Sequence, residues 1–243
     1  MARYGDAGTP EVRRVPGLDV EEWSLLRMLP LFRGLPEKTV AEALSEASVQ
    51  RVARNTVLFI HGQPAERFYV VLEGWVKLFR ETLDGQESVI AVFTRGESFA
   101  EAAMARLKSY PVSAAAATDA RLLTVPNRMF MAAVERDKAL TMNLMDAMSM
   151  HLHGLVGQVE DLAAKSTTER LAAFLVRLCA ARTGSTRIQL PFDKTLIAGR
   201  LGMQPETLSR AFRKLGAVGV KVAGHEVSIS DIAALHTFGE GEH

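Results

Sequence analysis

The chain has 243 residues, 48% of them hydrophobic and 23% charged, with a formal net charge of +1. This composition is ordinary for one large folded domain or two modest ones and excludes a polycation as a whole. A single cysteine, Cys179, excludes an intrachain disulfide and any Cys/His metal cluster, and no run of about 18 apolar residues offers a membrane span.

The opening stretch, MARYGDAGTPEVRRVPG, is polar, rich in Gly and Pro, and lacks an apolar signal core. With the lone cysteine, this predicts a cytoplasmic protein whose residues 1–24 form a flexible extension. LLRMLPLFRGLPEKTVAEALSEA then predicts two short helices punctuated by Pro30 and Pro36. From about Ser48 the pattern changes to Val, Ile, Phe and Tyr runs broken by HGQP, EGW, LDGQ and RGES. Short strands at regular turns predict a β-barrel or sandwich, and the Asp84-Gly85 pair marks a hairpin turn. VSAAAATDARLLTVP supplies the last strands.

Helical periodicity resumes at Asn127. Met145, Met148, Leu152, Leu155, Val159 and Leu162 alternate steps of three and four, the spacing of a two-helix seam. A helix packed on its own domain is the alternative. The narrow stripe, flanked by Gly154, Gly157, Gln158, Glu160 and Asp161, favours one partner helix and hence a homodimer. TTERLAAFLVRLCAAR predicts another amphipathic helix, capped by Thr167 or Thr168 with Glu169 near its positive end. Cys179 falls beside Leu175 and Leu178, as a core thiol would.

The C-terminal part carries a charge asymmetry. From Ser166 onward there are ten Lys/Arg and seven Asp/Glu, net +3, whereas the preceding part has nineteen basic and twenty-one acidic residues, net −2. A polyanionic partner suits that imbalance. Ile197, Ala198 and Leu201 predict a short helix, Gly202 a turn, and Pro205 the first position of a second helix whose inner face is Leu208, Phe212 and Leu215. That is the helix-turn-helix pattern, and VKVAGHEVSIS reads as a two-stranded wing.

Glu206, Ser209 and Arg210 share the outer face of the second helix. Side chains near the N-terminus of such a helix touch base edges in the major groove. There Arg donates two hydrogen bonds to guanine, Glu accepts from the cytosine amino group, and Ser serves either base or a phosphate. Glu206 and Arg210 are helical neighbours, so Glu206 is placed to hold Arg210 in its reading pose. Gln204, Thr207, Arg213 and Lys214 are assigned to the phosphate backbone, which orients a protein without specifying sequence. A solvated face with an intrahelix ion pair is the alternative; the preceding helix and glycine turn favour double-stranded DNA.

RGESFAEAAM, ERLAAFL and LGMQPETLSR, in that order, resemble the CRP/FNR family of bacterial transcription regulators. The likeness runs from about Leu25 to Leu235. It implies an α+β fold with a cyclic-nucleotide-binding-like β-roll (25–126), a long dimerisation helix (127–165) and a winged helix-turn-helix (166–243). It also implies a homodimer and RNA polymerase as a partner. ETLSR is similar to the FNR-type recognition helix, in which Glu, Ser and Arg read TTGAT; Glu206, Ser209 and Arg210 fall on those places. CRP-type members, which read TGTGA, carry Arg before the Glu and Gly for the Ser, where this chain has Pro205 and Ser209.

The same resemblance frames the sensor. Cyclic-AMP-binding relatives place a Glu on the ribose and an Arg-Ser pair on the phosphate. Glu101 matches the first, but Pro111 and Val112 stand where the cation belongs, and Leu155 and Val156 where the adenine contacts fall. Losing the charge-assisted bond would cost about 1.5–3 kcal/mol, so cAMP is not expected. The iron–sulfur cluster of FNR itself is excluded, because the N-terminal part has no cysteine.

AAMARLKSYPVSAAAATDARLL together with LPFDKTLIAGRLGMQPETLSRAF resembles the Dnr/NnrR-type subgroup, which implies control of denitrification genes through nitric oxide and haem. Haem needs an apolar slot and an axial ligand. His61, His151 and His153 are the candidates in the sensor half, each with a turn, surface or capping role as its alternative. Two other readings stay open: a regulator of the FixK kind that needs no effector, and a cyclic-nucleotide-responsive one. An enzyme is disfavoured, because the chain has no nucleophile elbow, metal-ligand spacing or phosphate loop.

Overall fold

The computed structural model describes residues 15–81, 87–101, 109–179, 181–190 and 194–241, with all their side chains except those of His151, Gln158, Val159 and Leu162. Asp84-Gly85, the AAM of RGESFAEAAM, and the side chains of the last two seam positions therefore lie outside the described residues.

Helix α1 (Val20–Met28) starts earlier than predicted, inside the stretch assigned to a flexible extension. The reason is local chemistry. Asp19 caps the helix and Glu22 returns the bond to the Asp19 backbone, a reciprocal capping box. Arg121 ties Glu22 and the Gly17 carbonyl to the sheet, and Val15 and Trp23 are buried. Helix α2 (Glu37–Ala43) follows.

The described strands of the sensor half are β1 (Ser48–Val52), β2 (Val57–Phe59), β3 (Arg67–Glu73), β4 (Trp75–Glu81), β5 (Glu87–Thr94), β6 (Ser98–Phe99), β7 (Ser113–Ala116) and β8 (Ala120–Pro126). They form two antiparallel sheets, ordered β1-β8-β3-β6 and β2-β7-β4-β5, which is the predicted β-roll. Strand β3 shows why its apolar run is continuous. Phe68, Val70 and Leu72 pack under the helices, while Tyr69 and Val71 point between the sheets. Both faces are covered, so neither needs polar residues. Between β3 and β4 only glycine fits: Gly74 has φ +84°, and a Cβ there would lie 2.3 Å from the Asp119 carbonyl oxygen.

The predicted helix over 127–165 is two helices, α3 (Asn127–Arg136) and α4 (Lys138–Ala164). The break is at Asp137, whose side chain accepts from the Ala139 and Leu140 amides and so starts a new helix. Leu140 is buried against the roll, and Leu144 and Ala147 pack on the same core. Beyond them, Met145, Met148, Leu152 and Leu155 stand 60%, 43%, 61% and 46% exposed.

Helix α5 (Thr167–Leu178) is capped by Ser166, one position before the expected threonines, with Glu169 completing a capping box. After it come β9 (Thr186–Gln189), α6 (Lys194–Arg200), α7 (Pro205–Leu215), β10 (Val220–Ala223), β11 (Glu226–Ile229) and α8 (Ile232–Glu240). The wing is a three-stranded sheet, β10-β11-β9, one strand larger than predicted. Helix α8 seals α5, with Gly239 against the Ala173 backbone. Leu171, Leu175, Leu208, Leu215, Ile232 and Leu235 are fully buried in the resulting core.

Candidate nucleic-acid interface

Helix α6 ends in a glycine-terminated turn. Gly202 takes φ +61°, its amide donates to the Gly199 carbonyl, and the Met203 amide donates to the Ala198 carbonyl. The chain then reverses into α7, which Pro205 opens. Leu208, Ala211, Phe212 and Leu215 are buried, which fixes the opposite face toward solvent.

On that outer face Gln204, Glu206, Arg210, Arg213 and Lys214 are exposed, and Thr207 and Ser209 are half-buried. The structure therefore places six of the seven predicted DNA-facing residues on the accessible side of α7, with Gln204 at its N-cap. One detail differs. No ion pair within 4.0 Å joins Glu206 and Arg210; the Arg210 guanidinium instead donates to Thr207 Oγ1 at 3.3 Å. Neither charged group is therefore neutralised by the other. The wing adds exposed Lys221 and Val222 on β10.

The reading head is docked on the roll. Arg200, at the end of α6, donates to both Glu97 carboxylate oxygens, at 2.9 and 3.3 Å, and to the Val92 carbonyl. Its guanidinium also lies 5.6 Å from the Phe174 ring. Trp75, Val92 and Ala117 of the roll join the buried core of the C-terminal part. None of these contacts had a signal in the sequence, because Glu97 and Arg200 come together only through the fold.

The predicted sensor residues are less concentrated. Glu101 and Val112 are half-buried and Pro111 is exposed, while Leu155 and Val156 stand exposed on α4. The place thought to lack a cation has one nearby: Arg80 of β4 donates to the Pro111 carbonyl at 3.2 Å. Strand pairing brings it there, since Phe79 lies opposite Ser113. Between the sheets, Phe59 stacks on Tyr110 with centroids 3.7 Å apart and on Tyr69 at 5.8 Å; Tyr69 stacks on Phe99 at 5.1 Å. Burial pushes the Tyr69 hydroxyl up to about 12, with Tyr110 adding to the rise. His61 and His153 are exposed, and His153 Nδ1 lies 2.9 Å from the Ser149 carbonyl; the His151 side chain lies outside the described residues.

Cys179 ends α5 half-buried, its thiol donating to the Leu175 carbonyl at 3.2 Å. Among the described residues no group of His, Cys, Asp and Glu could hold a metal ion, and no helix is long and apolar enough to cross a membrane.

Residues 49–137 match the cyclic nucleotide-binding domain family and residues 169–238 the Crp-like helix-turn-helix family. A solved structure from Ruegeria pomeroyi, provisionally described as a cyclic nucleotide binding protein, is 43% identical with a TM-score of 0.77, covering 91% of this chain and 98% of that one. The solved structure of DNR from Pseudomonas aeruginosa is 31% identical with a TM-score of 0.52, covering 88% and 96%. The nitrogen fixation regulation protein FixK of Rhizobium meliloti is 30% identical over 65% of this chain and 70% of its own length. Sensor-like roll, helix-turn-helix and relatives agree: the chain belongs to the CRP/FNR family of DNA-binding transcription regulators.

Proposed function

We propose that the chain acts as a homodimer that reads the inverted repeat TTGAT-N4-ATCAA through α7. The observation that carries this reading is the outer face of α7, where Glu206 and Arg210 are exposed and unpaired with each other while Ser209 lies between them. Arg210 donates to the guanine, Glu206 accepts from a cytosine amino group on the other strand, and Ser209 helps select the outer T. The exposed apolar stripe of α4 supports the dimer, since about one helical turn between half-sites requires two heads held by one axis. RNA polymerase is the further partner this role calls for. A fluorescence-anisotropy titration tests the specificity: the TTGAT repeat should bind at least tenfold tighter than a TGTGA repeat at equal salt, and the reverse order would reject the reading.

For the input, haem and nitric oxide are the proposal drawn from the resemblance to DNR. The described residues do not fit a haem between the sheets. The aromatic stack fills that space, and His61 and His153 both face solvent. The stack favours a second reading, a roll of the FixK kind that works without a ligand between its sheets. Haem titration of the purified protein separates the two readings: a Soret band that shifts with nitric oxide supports the first, and its absence supports the second.

A further inference from the structure

A cavity of about 600 Å³ lies where the roll, α4 and the C-terminal part meet. Cavities of that size at domain junctions are where small-molecule sites concentrate. One wall is apolar, made by Trp75, Phe174, Leu178 and Ile188, with the two aromatic rings 6.3 Å apart. The polar wall is unbalanced. Glu97 is fully used, accepting from Arg200 on both oxygens and from the Thr94 amide at 2.8 Å. Arg95 pairs with Glu21 at 2.5 Å. Arg177 also lines the cavity, remains open to solvent, and has no ion pair within 4.0 Å among the described residues. Partial burial and the like charge of Arg200 lower its pKa, and the more distant carboxylates of Glu97 and Asp161 offset only part of that fall. On the α4 side the wall is bare: a Cβ on Gly154 would meet nothing within 4 Å.

We propose that this junction cavity is an effector site for a small organic anion, a carboxylate or phosphate on a flat apolar body. Arg177 takes the anionic group, and Trp75 and Phe174 take the body. The proposal rests on the DNA-reading function above for its consequence. Its walls belong to the roll, to α4 and to the reading head, so an anion bound there biases the head's position, and operator and anion must shift each other's affinity equally.

The test uses the full chain, with phenyl phosphate and benzoate as probes. Calorimetry should show one saturable site per chain for at least one of them. Arg177→Ala should weaken it at least tenfold, and Arg177→Lys should restore part of the loss. Gly154→Leu, checked for an unchanged dimer by light scattering, should block the site by filling its bare side. Inorganic phosphate should bind more weakly than phenyl phosphate, because it lacks the body. Operator affinity of the wild type should change at least threefold when the site is saturated. No saturable binding of either probe at millimolar concentration, equal binding by wild type and Arg177→Ala, or an unmoved operator affinity would each overturn the proposal. Failure of the DNA-reading function shows separately, as loss of operator binding before any probe is added.

Discussion

Arg210 and Lys214 lie one turn apart on the same exposed face of α7, yet they are assigned different work. Arg210→Ala should cost about 1–3 kcal/mol per half-site and relax the preference at G, because a base contact carries sequence information. Lys214→Ala should weaken every duplex alike and flatten the salt dependence, because a phosphate contact releases counterions without reading bases. Parallel titrations of matched and G-substituted duplexes at two salt concentrations separate them. Tyr69 offers a second test. Its hydroxyl ionises near 12 when folded and near 10 when unfolded, so the unfolded chain loses its proton first. Stability from this group is complete below pH 10 and is lost as pH rises toward 12. Tyr69→Phe should reduce the alkaline loss of stability in denaturant titrations between those limits; an unchanged slope would mean the hydroxyl is not buried.

Residue-level chemistry was only partly legible in the sequence. The outer face of α7 followed from spacing, because Leu208, Phe212 and Leu215 dictate which side is left. The rotamer of Arg210 did not: Thr207, three residues away, competes with Glu206, four away, and spacing cannot choose between them. Arg80 beside Pro111 was invisible because it arrives through strand register from 31 residues away.

At the scale of elements, α4 presents a stripe with no partner among the described residues. Met145, Met148, Leu152 and Leu155 would leave an apolar face in water, which association removes. Leu152→Glu should place charge in the interface, and light scattering should find mainly monomer with loss of operator affinity. A mutant that stays dimeric would reject this seam. Strong periodicity made α4, α5 and α7 legible. Strand β9 and helix α8 were not, since β9 is four residues long and α8 is held largely by docking on α5. The α3–α4 break was hidden because Asp137 interrupts the backbone without interrupting the apolar rhythm.

Across the whole molecule, the roll and the reading head share one buried core, and the Arg200–Glu97 contact joins them. Glu97 is more than a third exposed, so solvent screening limits the ion pair to about 1 kcal/mol. Glu97→Ala should loosen docking by that amount, seen calorimetrically as unfolding transitions of the two parts drawing apart; one unchanged transition would show that the apolar core alone holds them. The order of roll, helix and head was readable in the chain, but their docking was not, because it joins side chains a hundred residues apart. In the proposed function, two copies of α7, held by one dimer axis, read FNR-type half-sites. The most direct measurement is selection of bound sequences from randomised duplexes by the wild-type chain at physiological salt. TTGAT-N4-ATCAA should emerge as an inverted repeat; recovery of TGTGA half-sites, or of a single unpaired half-site, would contradict the account.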